Sequence, residues 1–313
     1  MVTRASWVVA GGLAGWAVAR ASGADRVTSA QSVAVPLISF TPLVARAAPW
    51  AALGAQLTGR RGPAVSATLA AATLDLLVRP RRKARPQPEA RGPRLRVLTL
   101  NLFAGRADAD ATVALVGRTG ADVLFVQELT DDAATRLKQA GLDDLLPHTQ
   151  LDLRGGPRGS GIYTRFPLGE GPYVAYTHAA QPAALLQLPG GQTVELIGVH
   201  PCAPTRQRAG VARWRRELGG LLPPGDRPRV VAGDFNATLD HAAFRDVLRL
   251  GYADSAAQTG NGLIPTWGPP DRAALLTLDH VLADRACAVL GYAVQAIPGS
   301  DHRAVFAEIQ LPR

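Results

Sequence analysis

Residues 229 to 238, RVVAGDFNAT, pass from an apolar run straight into two polar groups that have no packing role. Val230, Val231 and Ala232 read as a short buried strand, and Gly233 allows a close backbone approach. Asp234 and Asn236 follow, two apart and therefore on one face of an extended chain. A carboxylate beside a carboxamide offers oxygen ligands and a hydrogen-bond donor, which suits a hard divalent cation carrying a phosphate. Asp, Asn and Gly also make ordinary turns. Repetition favours the chemical reading: Asn101 closes an apolar strand at 95–100, Glu128 follows one at 123–126, and His200 ends one at 193–199. Asp279 lies in a strand predicted over 275–282, and Asp301 and His302 stand just before a final strand at 303–309.

The elements that must hold these residues alternate between strand and helix. A helix is predicted over 108–120, with acidic residues at its start and apolar ones at Val113, Leu115 and Val116. A glycine turn leads into a strand over 159–167, a second helix covers 205–222 and a third 241–250, and 252–267 is rich in loop. The second helix carries Arg206, Arg208, Arg213, Arg215 and Arg216, which read first as a solvated face, with Arg206 and Arg208 as candidates for a substrate phosphate. His280, beside Asp279, reads as packing.

Taken in order, LNL with Asn101, FVQE with Glu128, GVH with His200, AGDFN with Asp234 and Asn236, LDH with Asp279 and GSDHR with Asp301 and His302 form one set. Over about residues 94–311 it resembles the endonuclease/exonuclease/phosphatase superfamily, which includes deoxyribonucleases, apurinic endonucleases, neutral sphingomyelinases and inositol-polyphosphate phosphatases. The first 90 residues lie outside the resemblance. It implies an α/β fold, a four-layered sandwich of two packed mixed sheets flanked by helices, which agrees with the alternation above. It also implies a Mg²⁺-dependent hydrolase of phosphoric esters or anhydrides, with Mn²⁺ an alternative. Glu128 is the implied metal ligand, supported by Asn101 and Asp301. His302 activates water or steadies the attacked phosphate, Asp279 fixes its tautomer, Asp234 and Asn236 orient the water, and His200 donates to the phosphate. The general base stays open between the His and the Asp of these motifs. Loops at 152–158 and 254–271 are expected to line the cleft.

Charge divides the 313-residue chain. Residues 1–91 hold 12 Lys+Arg against 3 Asp+Glu, whereas 92–313 hold 22 against 22, so the formal +9 belongs to the N-terminal part. A domain built to grip nucleic acid is expected to carry its own excess cation, and no Arg/Lys-rich insertion appears where family nucleases hold DNA. Residues 1–78 contain three apolar runs, at 6–19, 33–57 and 64–78, each short of the roughly 20 clean apolar residues of a spanning helix. They are read as a membrane-anchoring segment of two or three helices, with a cleaved signal peptide or an Ala-rich leader as alternatives. Asp75 in the third run is placed at a helix end or interface. Residues 79–93, RPRRKARPQPEARGP, form a basic Pro-rich linker, and 94–313 the catalytic domain.

The expectation is thus a membrane-anchored phosphoesterase acting on a phosphorylated lipid, a lipid-linked phosphate or pyrophosphate, or another phosphoester. Its partners are that substrate and the lipid bilayer, with nucleic acid disfavoured and no protein partner. A metal-dependent endonuclease or exonuclease is the alternative within the class, and an inactive tethered binding module the alternative outside it. The Ala-, Arg- and Gly-rich composition points to a bacterial cytoplasmic membrane. The basic linker argues for a catalytic domain inside that membrane and three helices for one outside, and the outer side is expected. Cys202 and Cys287 are either two buried thiols or a disulfide.

Overall fold

The computed structural model describes residues 2–27, 31–174, 177–204, 208–269 and 272–313. Residues 2–78 form four α-helices among those described: α1 (Val2–Ser22), α2 (Gln31–Ile38), α3 (Thr41–Leu57) and α4 (Arg61–Val78). The run at 33–57, read as one apolar segment, is divided between α2 and α3 by a 74° bend. The break falls just before Pro42, which sits in the first turn of α3 and has no backbone N–H with which to continue the hydrogen bonding of α2. No single described helix is long and apolar enough to cross a membrane, whereas α2 and α3 together meet that criterion as a bent pair. α1, α3 and α4 pack through small residues, with Ala10, Ala48, Ala67 and Leu74 fully buried.

The rest of the chain continues as β1 (Arg94–Asn101), α5 (Ala109–Thr119), β2 (Val123–Gln127), α6 (Asp131–Gln139), α7 (Leu142–Leu145), β3 (His148–Asp152), β4 (Ser160–Thr164), β5 (Leu168–Glu170) and β6 (Ala183–Gln187). It ends with β7 (Thr193–Val199), α8 (Arg208–Gly219), β8 (Arg229–Asp234), α9 (Ala242–Arg249), β9 (Tyr252–Asp254), α10 (Ser255–Gln258), β10 (Asp279–Asp284), β11 (Ala288–Ala296) and β12 (Arg303–Gln310). One six-stranded sheet has the order β11-β12-β1-β2-β4-β3 and the other β5-β6-β7-β8-β10-β9. β1–β2 and β7–β8 pair in parallel and the remaining neighbours antiparallel, so both sheets are mixed.

Burial sorts these strands into layers. Leu95, Val97, Val123 and Phe125 of the first sheet meet Leu196, Val230, Ala232 and Val281 of the second in one core between the sheets. The alternate residues Leu98, Leu100, Leu124 and Val126 pack outward with Leu115, Val116 and Leu137 of α5 and α6. Ile197, Val199 and Val231 do the same with Val211, Trp214 and Phe244 of α8 and α9. The order helix, sheet, sheet, helix is the expected sandwich. Burial on both faces also explains why its strands read as unbroken apolar runs. Cys202 and Cys287 are both free thiols, the second in the core between the sheets.

The basic linker does not hang free. Arg79–Arg82 is a 3₁₀ turn, Ala84 bridges to Thr259, and the Arg85 amide donates to the Gln258 carbonyl at 2.9 Å. Arg81 is buried against the catalytic domain.

Candidate active site

Strand parity delivers the polar residues to one place. In β1, Leu95 and Val97 face the inter-sheet core, so Asn101, an even number of residues on, faces the same way at the strand's end. Val194 and Leu196 do this for His200, Val230 and Ala232 for Asp234, and Val281 for Asp279, which pairs directly with Asp234 in the sheet. Glu128 has the wrong parity, and its backbone corrects that with a φ of 55° just past β2. Asn236 (φ 47°) and the Phe103–Ala104 turn (φ 48° and 52°) adopt the same uncommon conformation, and such strain gathers where a site is held against local preference. Gly233 is required as glycine: a Cβ there would meet the Val199 carbonyl oxygen of β7 at 2.0 Å.

Two hydrogen-bonded groups, Thr266–Asp279–His302 and Asp234–Asn101–Glu128, face each other here. Thr266 Oγ1 donates to Asp279 Oδ2 at 2.6 Å, and Asp279 lies 2.9 Å from His302 Nδ1. His302 Nε2 is 3.7 Å from Asp234 Oδ2. Asn101 Nδ2 donates to Asp234 Oδ2 and to Glu128 Oε1, both at 3.1 Å. The Asn101 oxygen is identified by its partner, the Phe103 amide at 2.9 Å, which can only donate. Glu128 Oε2 accepts from the Ala104 amide, and Asp234 Oδ1 from the Asn236 amide at 2.8 Å. Ser300 ties the ends together, its Oγ donating to the Asn101 carbonyl and accepting from the His302 amide. His302 comes from the first sheet and Asp234 and Asp279 from the second, so the site joins both.

Burial and neighbouring charge set the protonation states. Burial disfavours a charged His302, but Asp279, Asp234 and Asp301 outweigh it and raise its pKa, so the imidazolium is favoured. Asp234 is also raised, by burial and then by Asp279 against the opposing pull of His302. His200 moves the other way, down to about 4, through burial and the repulsion of His302, and stays neutral at neutral pH. Its Nε2 stands 3.9 Å from Asp234 Oδ2.

Two arrangements bear on a metal. Asp234, Asp279 and His302 each offer one atom within 4.8 Å of the others. There, however, His302 Nδ1 and Asp279 are already hydrogen-bonded to each other at 2.9 Å. Glu128 and Asp301 fit a cation better. Asp301 Oδ2 accepts from Trp267 Nε1 at 3.0 Å, while Asp301 Oδ1 is buried with no hydrogen-bond partner among the described residues. Burial raises the Asp301 pKa and the Glu128 charge raises it further, a cost that a divalent ion between two hard oxygen donors would remove. Asn101 serves this pair by holding Glu128 through Nδ2, while its oxygen accepts from the Phe103 amide.

These groups form the floor of a cleft of about 640 Å³. Glu128, His200, Asp234, Asn236, Asp301 and His302 all line it. A model of the endonuclease/exonuclease/phosphatase family matches residues 98–302. The chain belongs to this family. Its members are phosphoester hydrolases, generally metal-dependent. No curated protein matches the chain. Among solved structures it is similar to an endonuclease/exonuclease/phosphatase of Beutenbergia cavernae DSM 12333, at 20% identity and a TM-score of 0.57, covering 70% of this chain and 72% of the other. It is also similar to humanized D. rerio TDP2 (20%, TM-score 0.55, 69% and 98%) and to a family protein from Leptotrichia buccalis C-1013-b (16%, TM-score 0.52, 69% and 100%). At these identities the likeness concerns the fold.

Every predicted catalytic and metal-site residue of this family member, from Asn101 to His302, lies in the two hydrogen-bonded groups or beside them. Arg206 lies outside the described residues, and Arg208 begins α8, its side chain likewise outside. His280 is buried between Asp254 at 2.7 Å and the Ala237 carbonyl at 3.0 Å, apart from the cleft. Of the two loops expected at the cleft, Pro157, Arg158 and Trp267 reach it. Sequence reasoning missed Thr266 and Trp267, which hold Asp279 and Asp301; an adjacent Thr-Trp pair in a loop was the available signal. It also missed Pro36, Ser39 and Phe40, which form part of the cleft wall from the N-terminal helices.

Proposed function

We propose that this phosphoester hydrolase is anchored to a membrane by residues 1–78 and, with Mg²⁺, hydrolyses the phosphate ester or pyrophosphate of a lipid or lipid-linked substrate. The observation that carries the hydrolytic reading is the pair of hydrogen-bonded groups Thr266–Asp279–His302 and Asp234–Asn101–Glu128, which bring His302, Asp234 and Glu128 to the cleft floor. Glu128 and Asp301 would hold the cation, whose chemistry is to neutralise phosphoryl oxygens. Asp234 Oδ2, turned toward the cleft beside the His302 and His200 rings, accepts the proton of the attacking water, and Asn236 fixes the Asp234 carboxylate through its amide. The His302 cation, aligned by Asp279, and neutral His200 bind the oxygens on which charge develops.

The membrane reading is supported by the N-terminal helices, which leave Trp7 (53% exposed), Trp50 (74%) and Leu57 (81%) on the surface together with Leu69 and Leu76. Large apolar side chains left exposed on one helical unit favour a membrane or an interface, and the bent α2–α3 pair belongs to the same unit. The catalytic part adds no net positive charge, which disfavours a polyanionic substrate. The test is phosphate release by full-length protein in detergent from a polyprenyl pyrophosphate, a phospholipid set and plasmid DNA. Turnover of lipid alone supports the proposal, and nicking of plasmid without lipid turnover replaces it with a nuclease.

A further inference from the structure

The N-terminal helices do more than lie against the catalytic domain. The end of α2 and the turn that follows it enter the cleft: Pro36 of α2 and Phe40 of the turn face the same cavity as Glu128, Asp234 and His302. Ser39, in the same turn, has its hydroxyl occupied by the Pro36 carbonyl at 2.8 Å, so the turn offers the cleft a mainly apolar surface. From the catalytic domain Phe103, Leu276 and Leu278 line the cavity too, giving an apolar wall above a polar floor.

The position of this turn is fixed. Val35 packs in the core beneath α8, and its carbonyl meets His241 Nε2 at 2.9 Å. Asp25 accepts from the Ala242 amide at 2.6 Å, and Arg26 pairs with Asp246 through two bonds of 2.6 and 2.8 Å. Val33 (62% exposed) and Leu37 (44%) continue from the turn along the outside of α2, so the apolar wall leads out toward the exposed face of the helices.

We infer that the α2–α3 turn, with the adjoining end of α2, is a built part of the substrate site, in which Phe40 and Pro36, with Phe103, grip the hydrocarbon portion of an alkyl or acyl phosphoester whose phosphate rests on His302 and His200. The inference rests on the proposed function and adds the residues that select substrate. Its energetic basis is apolar burial, which grows with each methylene removed from water.

The test measures binding, so it does not depend on turnover. Full-length protein is titrated with inorganic phosphate and with butyl, octyl and dodecyl phosphate, with dodecanol as the control for simple partition. Affinity should rise at least tenfold from butyl to dodecyl phosphate, exceed that for dodecanol, and lose most of this chain-length dependence in Phe40→Ala while Phe40→Leu keeps it. An unchanged slope in Phe40→Ala, or dodecyl phosphate binding no tighter than butyl phosphate or dodecanol, overturns the inference. Chain-length-dependent binding without hydrolysis of any lipid would leave this site standing and reject the proposed reaction.

Discussion

Arg81 closes both of its terminal nitrogens on the two carboxylate oxygens of Asp240, at 2.7 and 2.6 Å, and the carboxylate is wholly buried. Arg20 of α1 adds a third bond at 2.6 Å. A charge so buried is tolerated only when paired and hydrogen-bonded, and removing one partner of such a group costs about 3–5 kcal/mol. Asp240→Ala, which strands two arginines, is therefore expected to lower stability by about 3 kcal/mol or more, measured by chemical unfolding in detergent.

The same group sets an acid dependence. Burial alone would raise the Asp240 pKa, but Arg81 and Arg20 hold it below its ordinary 3.8. Its stabilising contribution is thus present above pH 3.8 and is lost as the pH falls through the lowered value. The stability difference between wild type and Asp240→Asn should stay constant from neutral pH to about 5 and shrink below the ordinary carboxylate pKa.

Glu128 and Asp301 are the proposed cation ligands. Glu128→Gln keeps the shape and removes one charge, so it should raise the Mg²⁺ concentration for half-maximal activity by about tenfold or more. Titration of activity with Mg²⁺ reads this directly; an unchanged midpoint would move the cation to the cluster of Asp234, Asp279 and His302.

Thr266 acts through Asp279 and touches no substrate. Thr266→Val removes the 2.6 Å bond to Asp279 and should lower kcat by about tenfold with little change in KM. It should also shift the pH profile, because the aspartate that aligns His302 would have lost a donor. Thr266→Ser should restore both.

The legible parts of the sequence were those decided locally. The ligand-type ends at Asn101, His200 and Asp234 came from apolar runs that stop at a polar residue, and α5 from an acidic start and apolar positions at Val113, Leu115 and Val116, now bounded by the Asp108 cap and Gly120. The close approach expected at Gly233 proves to be against Val199. The strands β3, β5, β6, β9 and β11 gave little signal. β5 and β9 are three residues long, and β11 is an edge strand with a register shift between Val289 and Gly291. The contribution of Phe40 to the cleft was illegible for another reason: its docking depends on pairs such as Arg20–Asp240, 220 residues apart, and periodicity carries no information at that range.

The most direct test of the central claim is metal-dependent phosphate release by the full-length protein, compared with His302→Ala and Asp234→Asn at matched thermal stability. The account predicts Mg²⁺-dependent turnover of a lipid phosphoester in wild type, abolished by chelation, and a loss of about a thousandfold in each variant. Near wild-type turnover in His302→Ala would contradict it, because the two hydrogen-bonded groups of Thr266 and Glu128 would then not be the catalytic centre.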